Sequence, residues 1–450
     1  MVSWSILFVL SLATFLTDAG VSVHNPFYCY SQDPIQPQNA WFGIHTAYET
    51  IRGRNINANV STCNPSKFWM ISRHGTRWPN PTELNNIWAS ARIHDDILSN
   101  YDQGRTSLCA SDMELLRNWR FNPDITLEYA QYLIAAGWDE LEELGRRYQA
   151  AFPTILSSTY SPNDFLFRGS DYQRTQVSLH AFADGLFGEN GHEDVNFEEL
   201  VGNDYLLRAY TLCPLFDQVI ANLPERDAFR EGPEYQQMTL EVSRKLGFHG
   251  SHTLRNNEIN TLSLICKYEQ IWNLNETSPY CAAFSVANRQ VIEYREDLEF
   301  YYRLGPGRTE YRRLFENLVC FNMQELLQFM VSNDPNDHKA RVYSGHVTIL
   351  PMLLNNLGAL GNDEPLTQHN FAQQSERAWR TGRLIAMAAN LAVIRYDCAD
   401  GDNDLLFLYN EIPLQIPGCD ANGVCKQSLI IERLGHWLDA DCMEIFCRNS

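Results

Sequence analysis

In Arg73-His74-Gly75-Thr76-Arg77 the residue types and their spacing add up to a definite chemistry. A neutral imidazole is a nucleophile toward phosphorus, and guanidinium forks on either side of it can grip phosphoryl oxygens as charge spreads over them. Gly75 is expected to let the backbone come close to the bound group. The two arginines should disfavour the imidazolium form and so keep His74 nucleophilic at mildly acidic pH. Five residues of this kind also fit a solvated turn, so the reading depends on what positions them.

Phe68-Trp69-Met70-Ile71-Ser72 comes just before, and its unbroken apolar run predicts a strand buried on both faces. The same order of strand, sharp turn and helix recurs twice. Phe165-Leu166-Phe167 leads through Arg168-Gly169-Ser170 into a helix that Ser170 is expected to cap, with Arg174 in its first turn. Arg341-Val342-Tyr343-Ser344-Gly345 reaches His346, and an apolar helix then runs through Leu357 until Gly358 stops it. Ligands of such sheets bind beyond the carboxyl ends of the strands, and all three ends carry Arg or His. A helix with Leu141, Leu144 and Tyr148 on one face, ending before Phe152-Pro153, reads as cover for the sheet. Residues 391–396 and 405–409 flank a polar turn and predict a hairpin. Residues 191–335 break the rhythm with helical patterns and charge. The expected architecture is therefore α/β: a doubly wound, mostly parallel sheet from residues 21–190 and 336–450, with a helical cap at 191–335 inserted between.

Composition narrows the partners and the compartment. Lys+Arg 35 against Asp+Glu 55 leaves a net charge of -20, which argues against a nucleic-acid surface, so any anionic ligand needs a local concentration of positive charge. The apolar run at 5–16, followed by Ala19 and Gly20, reads as a signal peptide over residues 1–20, with no transmembrane segment left after its removal. All 12 Cys come later, and an even number behind such a segment predicts disulfides, with Cys419/Cys425 and Cys442/Cys447 close enough to close small loops. Asn59-Val60-Ser61 and Asn275-Glu276-Thr277 are glycan acceptor sequons. The expected location is secreted or in the lumen of the endoplasmic reticulum and secretory pathway. No metal or other cofactor is expected: Phe248-His249-Gly250-Ser251-His252 offers two His without a third ligand and reads as a polar loop.

The chain resembles the histidine acid phosphatase family, and within it the multiple inositol polyphosphate phosphatase branch. The resemblance starts from the Arg73–Arg77 segment and Phe42-Gly43 upstream. It continues through Gly137, Glu140, Leu144-Gly145 and Phe152-Pro153, then Arg174-Thr175, Ser178 and Gly185-Leu186. Asp297-Leu298, Tyr301-Tyr302, His346, Leu350-Pro351 and Glu364-Pro365-Leu366 extend it. It implies a phosphomonoesterase acting on inositol polyphosphates. His74 would become phosphohistidine, Arg73, Arg77 and Arg174 would clamp the phosphate with Arg168 as a further contact, and His346 would donate to a phosphoryl oxygen. One position departs from the pattern. The branch carries a Glu two residues after the distal His as acid for the leaving alkoxide, and this chain has Thr348. A threonine hydroxyl is a very poor acid. Three outcomes follow: another carboxyl (Asp334, Asp337, Asp363 or Glu364) serves, the substrate protonates itself from a neighbouring phosphate, or the protein is a pseudoenzyme that binds phosphates. A broad-specificity acid phosphatase is the remaining alternative. About three of the cap's Arg226, Arg230, Arg244, Lys245, Arg255, Arg303, Arg308, Arg312 and Arg313 are expected near the ligand.

Overall fold

The computed structural model describes residues 28–199, 202–361 and 364–450, so the segment read as a signal peptide, and Asp363, lie outside the described residues. One mixed sheet organises the chain. Its order is β3 (Phe197–Glu198), β2 (Phe165–Gly169), β4 (Ala340–Gly345), β1 (Asn64–Arg73), β5 (Asn390–Asp397), β6 (Asp404–Tyr409) and β7 (Ile412–Pro413), with β8 (Val424–Lys426) also paired to β6. The β3, β2, β4 and β1 half is parallel. Beyond β1 the pairing turns antiparallel, where β5 and β6 form the hairpin expected from the sequence. The outermost strand of the parallel half, β3, follows residue 190, the last residue assigned to the first part of the core from sequence.

The apolar strands are explained by cover on both faces. Alternate residues Phe68, Met70, Phe165, Phe167, Val342 and Ile394 pack on one side with Leu141, Leu144, Tyr148, Leu179 and Phe182. The helices that supply those partners are Ala135–Ala151 and Gln173–Phe187. Trp69, Ile71, Tyr343, Leu391, Val393 and Phe407 point the other way. They join one continuous cluster with residues of Asn256–Trp272, Val286–Leu304 and Cys320–Val331, the long helices between β3 and β4.

Two local expectations need correction. Ser170 is not a helix cap: the Gln173–Phe187 helix starts after Tyr172 with no side-chain cap, because the Ser170 hydroxyl is engaged by His346 and Thr175. Cys419 and Cys425 do pair, but Cys442 bonds Cys320 and Cys447 bonds Cys213 rather than each other. The tertiary fold brings the chain's last turn against the long helices, and spacing along the chain does not decide the matter. Cys29–Cys109, Cys63–Cys398 and Cys266–Cys281 complete six disulfides. No helix among the described residues is long and apolar enough to cross a membrane.

Candidate active site

The parallel strands end level with one another, since Arg73 is in register with Gly345 and Gly169 with Ser344. The residues that follow each strand therefore meet. The His74 amide donates to the Gly345 carbonyl at 3.1 Å and its carbonyl accepts from Ala388 at 3.2 Å, which fixes the backbone from both sides. The rings of His74 and His346 lie 5.8 Å apart, and Arg174 Nη2 stands 3.4 Å from His346 Nδ1. Three segments remote in sequence thus form one cluster.

Hydrogen bonds fix the tautomers. The Gly75 carbonyl lies 2.8 Å from His74 Nδ1 and can only accept, so Nδ1 carries the proton and Nε2 keeps its lone pair. At His346, Nδ1 accepts from Arg174 and Nε2 donates to Ser170 Oγ at 2.9 Å. Both imidazoles are held neutral. Burial pushes His74 well below its ordinary value, and Arg73, Arg174, His346 and Arg77 push it further the same way. The direction matches the expectation, with burial ahead of the arginines as cause. Burial, then Arg174 and Arg208, bring His346 down to about 3.

The arginines differ in how free they are. Arg73 is anchored, with Nη1 donating to the carbonyls of Ile44 and Ile385 at 2.6 and 2.5 Å, and its buried Nε has no partner. Arg77 donates to the Trp78 carbonyl at 2.8 Å and lies 3.6 Å from Glu83. Arg174 Nε is buried and unpartnered. Arg168 turns elsewhere: Asp204 at 3.2 Å and Glu198 at 4.0 Å take its guanidinium, and it is not among the charges acting most on either imidazole. Arg73, His74, Arg77, Arg174 and His346 are brought together, and Arg168 is left outside.

Gly75 allows a different close approach from the one expected. A Cβ there would lie 2.4 Å from the Gly137 carbonyl, and a Cβ on Gly137 would lie 2.1 Å from that of Thr76. The 74–77 loop therefore rests directly on the Ala135–Ala151 helix. Glu140 locks it there, accepting from the Thr76 amide at 2.7 Å and the Thr76 hydroxyl at 2.9 Å, while burial holds its carboxyl up at about 7. Gly137→Ala is expected to overpack this contact, lowering stability by about 1–3 kcal/mol and moving His74 enough to reduce kcat/KM. Thermal unfolding and phosphate-release kinetics on one preparation check this.

Thr348 stands at the start of the Ile349–Asn356 helix, close to the Tyr210 hydroxyl, which is also close to Arg208. Of the carboxyls considered as substitutes, Asp363 lies outside the described residues and the other three are elsewhere. Asp337 pairs with Lys67 at 2.9 Å and Arg341 at 2.6 Å before β4 begins, at the sheet end opposite His74, and exposed Asp334 lies in the same loop. Glu364 is exposed beside Tyr301 and Trp379. Arg208 and Tyr172 are the neighbours of His346 that sequence reasoning missed. Tyr172 sits in the second strand-to-helix junction but is neither Arg nor His, and Arg208 comes from the segment read as cap.

Arg77 also lines a cavity of about 510 Å³ whose wall includes His45, Arg230, Lys267, Arg295 and Arg303. Its five Lys and Arg face three carboxylates, Glu83, Glu296 and Glu299, so the wall is net positive in a chain of net charge -20. Two of the cap arginines named from sequence, Arg230 and Arg303, line it. Arg312 and Arg313 instead pair with Glu316, and Arg255 with Glu258. His249 and His252 are exposed, as a polar loop requires.

A buried neutral imidazole with a free nitrogen, ringed by guanidiniums at the carboxyl ends of parallel strands, is a site built for a small oxyanion. Comparison with known proteins agrees. The profile described as Histidine phosphatase superfamily (branch 2) matches residues 67–410, and the chain belongs to that family. It is 34% identical over 444 residues to "Multiple inositol polyphosphate phosphatase 1" of Drosophila melanogaster, covering 96% of this chain and 92% of that protein. The human protein of the same name is 25% identical, over 82% of this chain and 80% of its own. Among solved structures, the phytase from D. castellii superposes with a TM-score of 0.68 at 16% identity, covering 92% and 88% of the two chains. Multiple inositol polyphosphate phosphatase from Bifidobacterium longum, in complex with phosphate, gives 0.62 at 13% identity, covering 90% and 98%. The chain has the histidine phosphatase fold.

Proposed function

We propose that this chain is a phosphomonoesterase that removes phosphates from inositol polyphosphates through a phosphohistidine on His74. The single observation that carries the reading is the free His74 Nε2 within a cluster of Arg73, Arg77 and Arg174, of which Arg77 also lines a cationic cavity. In this reading the three arginines hold the transferring group, and further phosphates on the same ring occupy the cavity. His346 takes a proton when the anion arrives, because the new negative charge offsets the burial and the guanidiniums that keep it neutral. Its Nδ1 then donates to a phosphoryl oxygen.

That proton sets a pH dependence. In the free protein His346 is held down to about 3 and is neutral at pH 5 to 7. An anion raises its pKa toward this range, so the complex binds more protons than the free site and affinity rises as pH falls. Titration of inositol hexasulfate, whose charge does not change here, is expected to show tighter binding at about pH 5 than at about pH 7, with proton uptake in calorimetry across buffers of different ionisation enthalpy.

Phosphate release from inositol hexakisphosphate, run beside p-nitrophenyl phosphate, tests the function. A higher kcat/KM for the hexakisphosphate is expected. A preference for p-nitrophenyl phosphate would point to a broad acid phosphatase. Binding with phosphate trapped on His74 and no turnover would favour an impaired phosphate-binding protein, the reading that Thr348 favours. A secreted or secretory-lumen location is supported by six disulfides that use all twelve cysteines and by the exposure of Asn59 and Asn275 in their sequons.

A further inference from the structure

The cations around His346 extend past the clamp. Arg208 stands over the ring of Tyr172 at 4.6 Å and Arg174 over the same ring at 4.5 Å. That ring packs edge-on against His346 at 5.1 Å. The Tyr210 hydroxyl lies close to both Arg208 and Thr348. Arg208 Nε is buried without a hydrogen-bond partner, and no carboxylate among the described residues pairs with its guanidinium, whereas nearby Arg168 has two. An uncompensated guanidinium beside an anion site is itself a place for an anion.

None of the groups gathered about Thr348 is an acid at working pH. A threonine hydroxyl keeps its proton, a guanidinium does the same, and burial raises the Tyr210 hydroxyl further. The charges acting most on His74 and His346 include no carboxylate. Among the described residues, the charges acting most on the two imidazoles are cations, so a ring alkoxide leaving beside Thr348 meets positive charge first.

We infer that Arg208 holds the phosphate on the ring carbon next to the scissile one, and that this neighbouring phosphate supplies the proton. The inference rests on the phosphatase reading and narrows its substrate class to esters with phosphates on adjacent carbons. The His74 Nε2 lone pair forms the N–P bond as the P–O ester bond breaks, and the bonding pair goes to the ring oxygen. The neighbouring phosphate enters as a monoanion, its second pKa being about 6. Its proton passes to that oxygen, and the resulting dianion is held by the Arg208 fork.

The test compares the purified full chain with Arg208→Gln on two substrates. Inositol hexakisphosphate needs a proton on its leaving oxygen, and p-nitrophenyl phosphate, which leaves as a stable phenolate, does not. Arg208→Gln is expected to lower kcat/KM by about a hundredfold or more on hexakisphosphate and by less than about tenfold on p-nitrophenyl phosphate. In a Thr348→Glu background, where a protein acid is restored, the same change should cost hexakisphosphate turnover much less. Equal losses on the two substrates, or no relief by Thr348→Glu, would overturn the inference. If the glutamine variant does not fold, judged by thermal unfolding, Arg208→Lys keeps the charge without the fork, and a fall in the ratio of the two rates is again the required result. A parent inactive on both substrates would overturn the phosphatase reading itself, an outcome distinct from a parent active on both whose ratio ignores Arg208.

Discussion

Alanine at position 74 is expected to lower phosphate release from inositol hexakisphosphate by about 10⁴- to 10⁶-fold, the scale seen when an enzymatic nucleophile is removed. The size follows from the geometry. His74 Nε2 has the unshared lone pair, while the ring nitrogens of His346 are engaged by Arg174 and Ser170, so His346 is poorly placed to replace it. The guanidiniums remain in the variant, so it should still bind inositol hexasulfate, and it should carry no labelled phosphate after mixing with substrate. The backbone at 74 is pinned by Gly345 and Ala388 whatever its side chain, which separates loss of chemistry from loss of fold. Equal rates for parent and variant would remove the proposed function.

The second large effect concerns stability. Beneath the site, Arg377 donates through Nε to Asp297 at 2.7 Å and lies 3.5 Å from Glu293, and Arg380 lies 3.0 Å from Glu293. The Thr381 amide and hydroxyl both donate to Asp297 at 2.7 Å. These four charged side chains are almost wholly buried. Asp297→Ala leaves Arg377 short of a partner in a place water does not reach, and is expected to cost about 3–5 kcal/mol. A drop of less than about 1 kcal/mol in urea unfolding, the range of an exposed ion pair, would show that the network is hydrated. The effect should reach the site, because Thr381–Leu384 leads straight to Ile385, whose carbonyl anchors Arg73.

What was legible in the sequence follows from how local the cause is. Phe68 to Ser72 reads as a strand because cover on both faces requires apolar residues at every position, and Gly358 ends its helix at φ +72 for a reason contained in one residue. The meeting of His74, Arg174 and His346 was legible because parallel strands bring their carboxyl ends level, with the family resemblance pointing the same way. Arg208 was not legible, since its place against Tyr172 is set by how the segment after β3 returns over the sheet. Ser170 looked like a cap because serine before a helix usually is one, and only a distant imidazole reassigns it. The cysteines at 442 and 447 failed for the same reason, as their partners Cys320 and Cys213 are neighbours only in three dimensions.

The apolar cluster that runs from the Trp69 face of the sheet into the long helices also bears on how substrate gets in and out. A lid that swings needs a wettable seam, and here the seam would be the molecule's own interior, so opening it would expose aromatic rings to water at about 25 cal/mol for each Å². The long helices between β3 and β4 are therefore not expected to swing away from the sheet as a lid. Admission of a ligand is then expected to depend on ps–ns rotations of the side chains that line the cavity beside Arg77 rather than on a slow hinge.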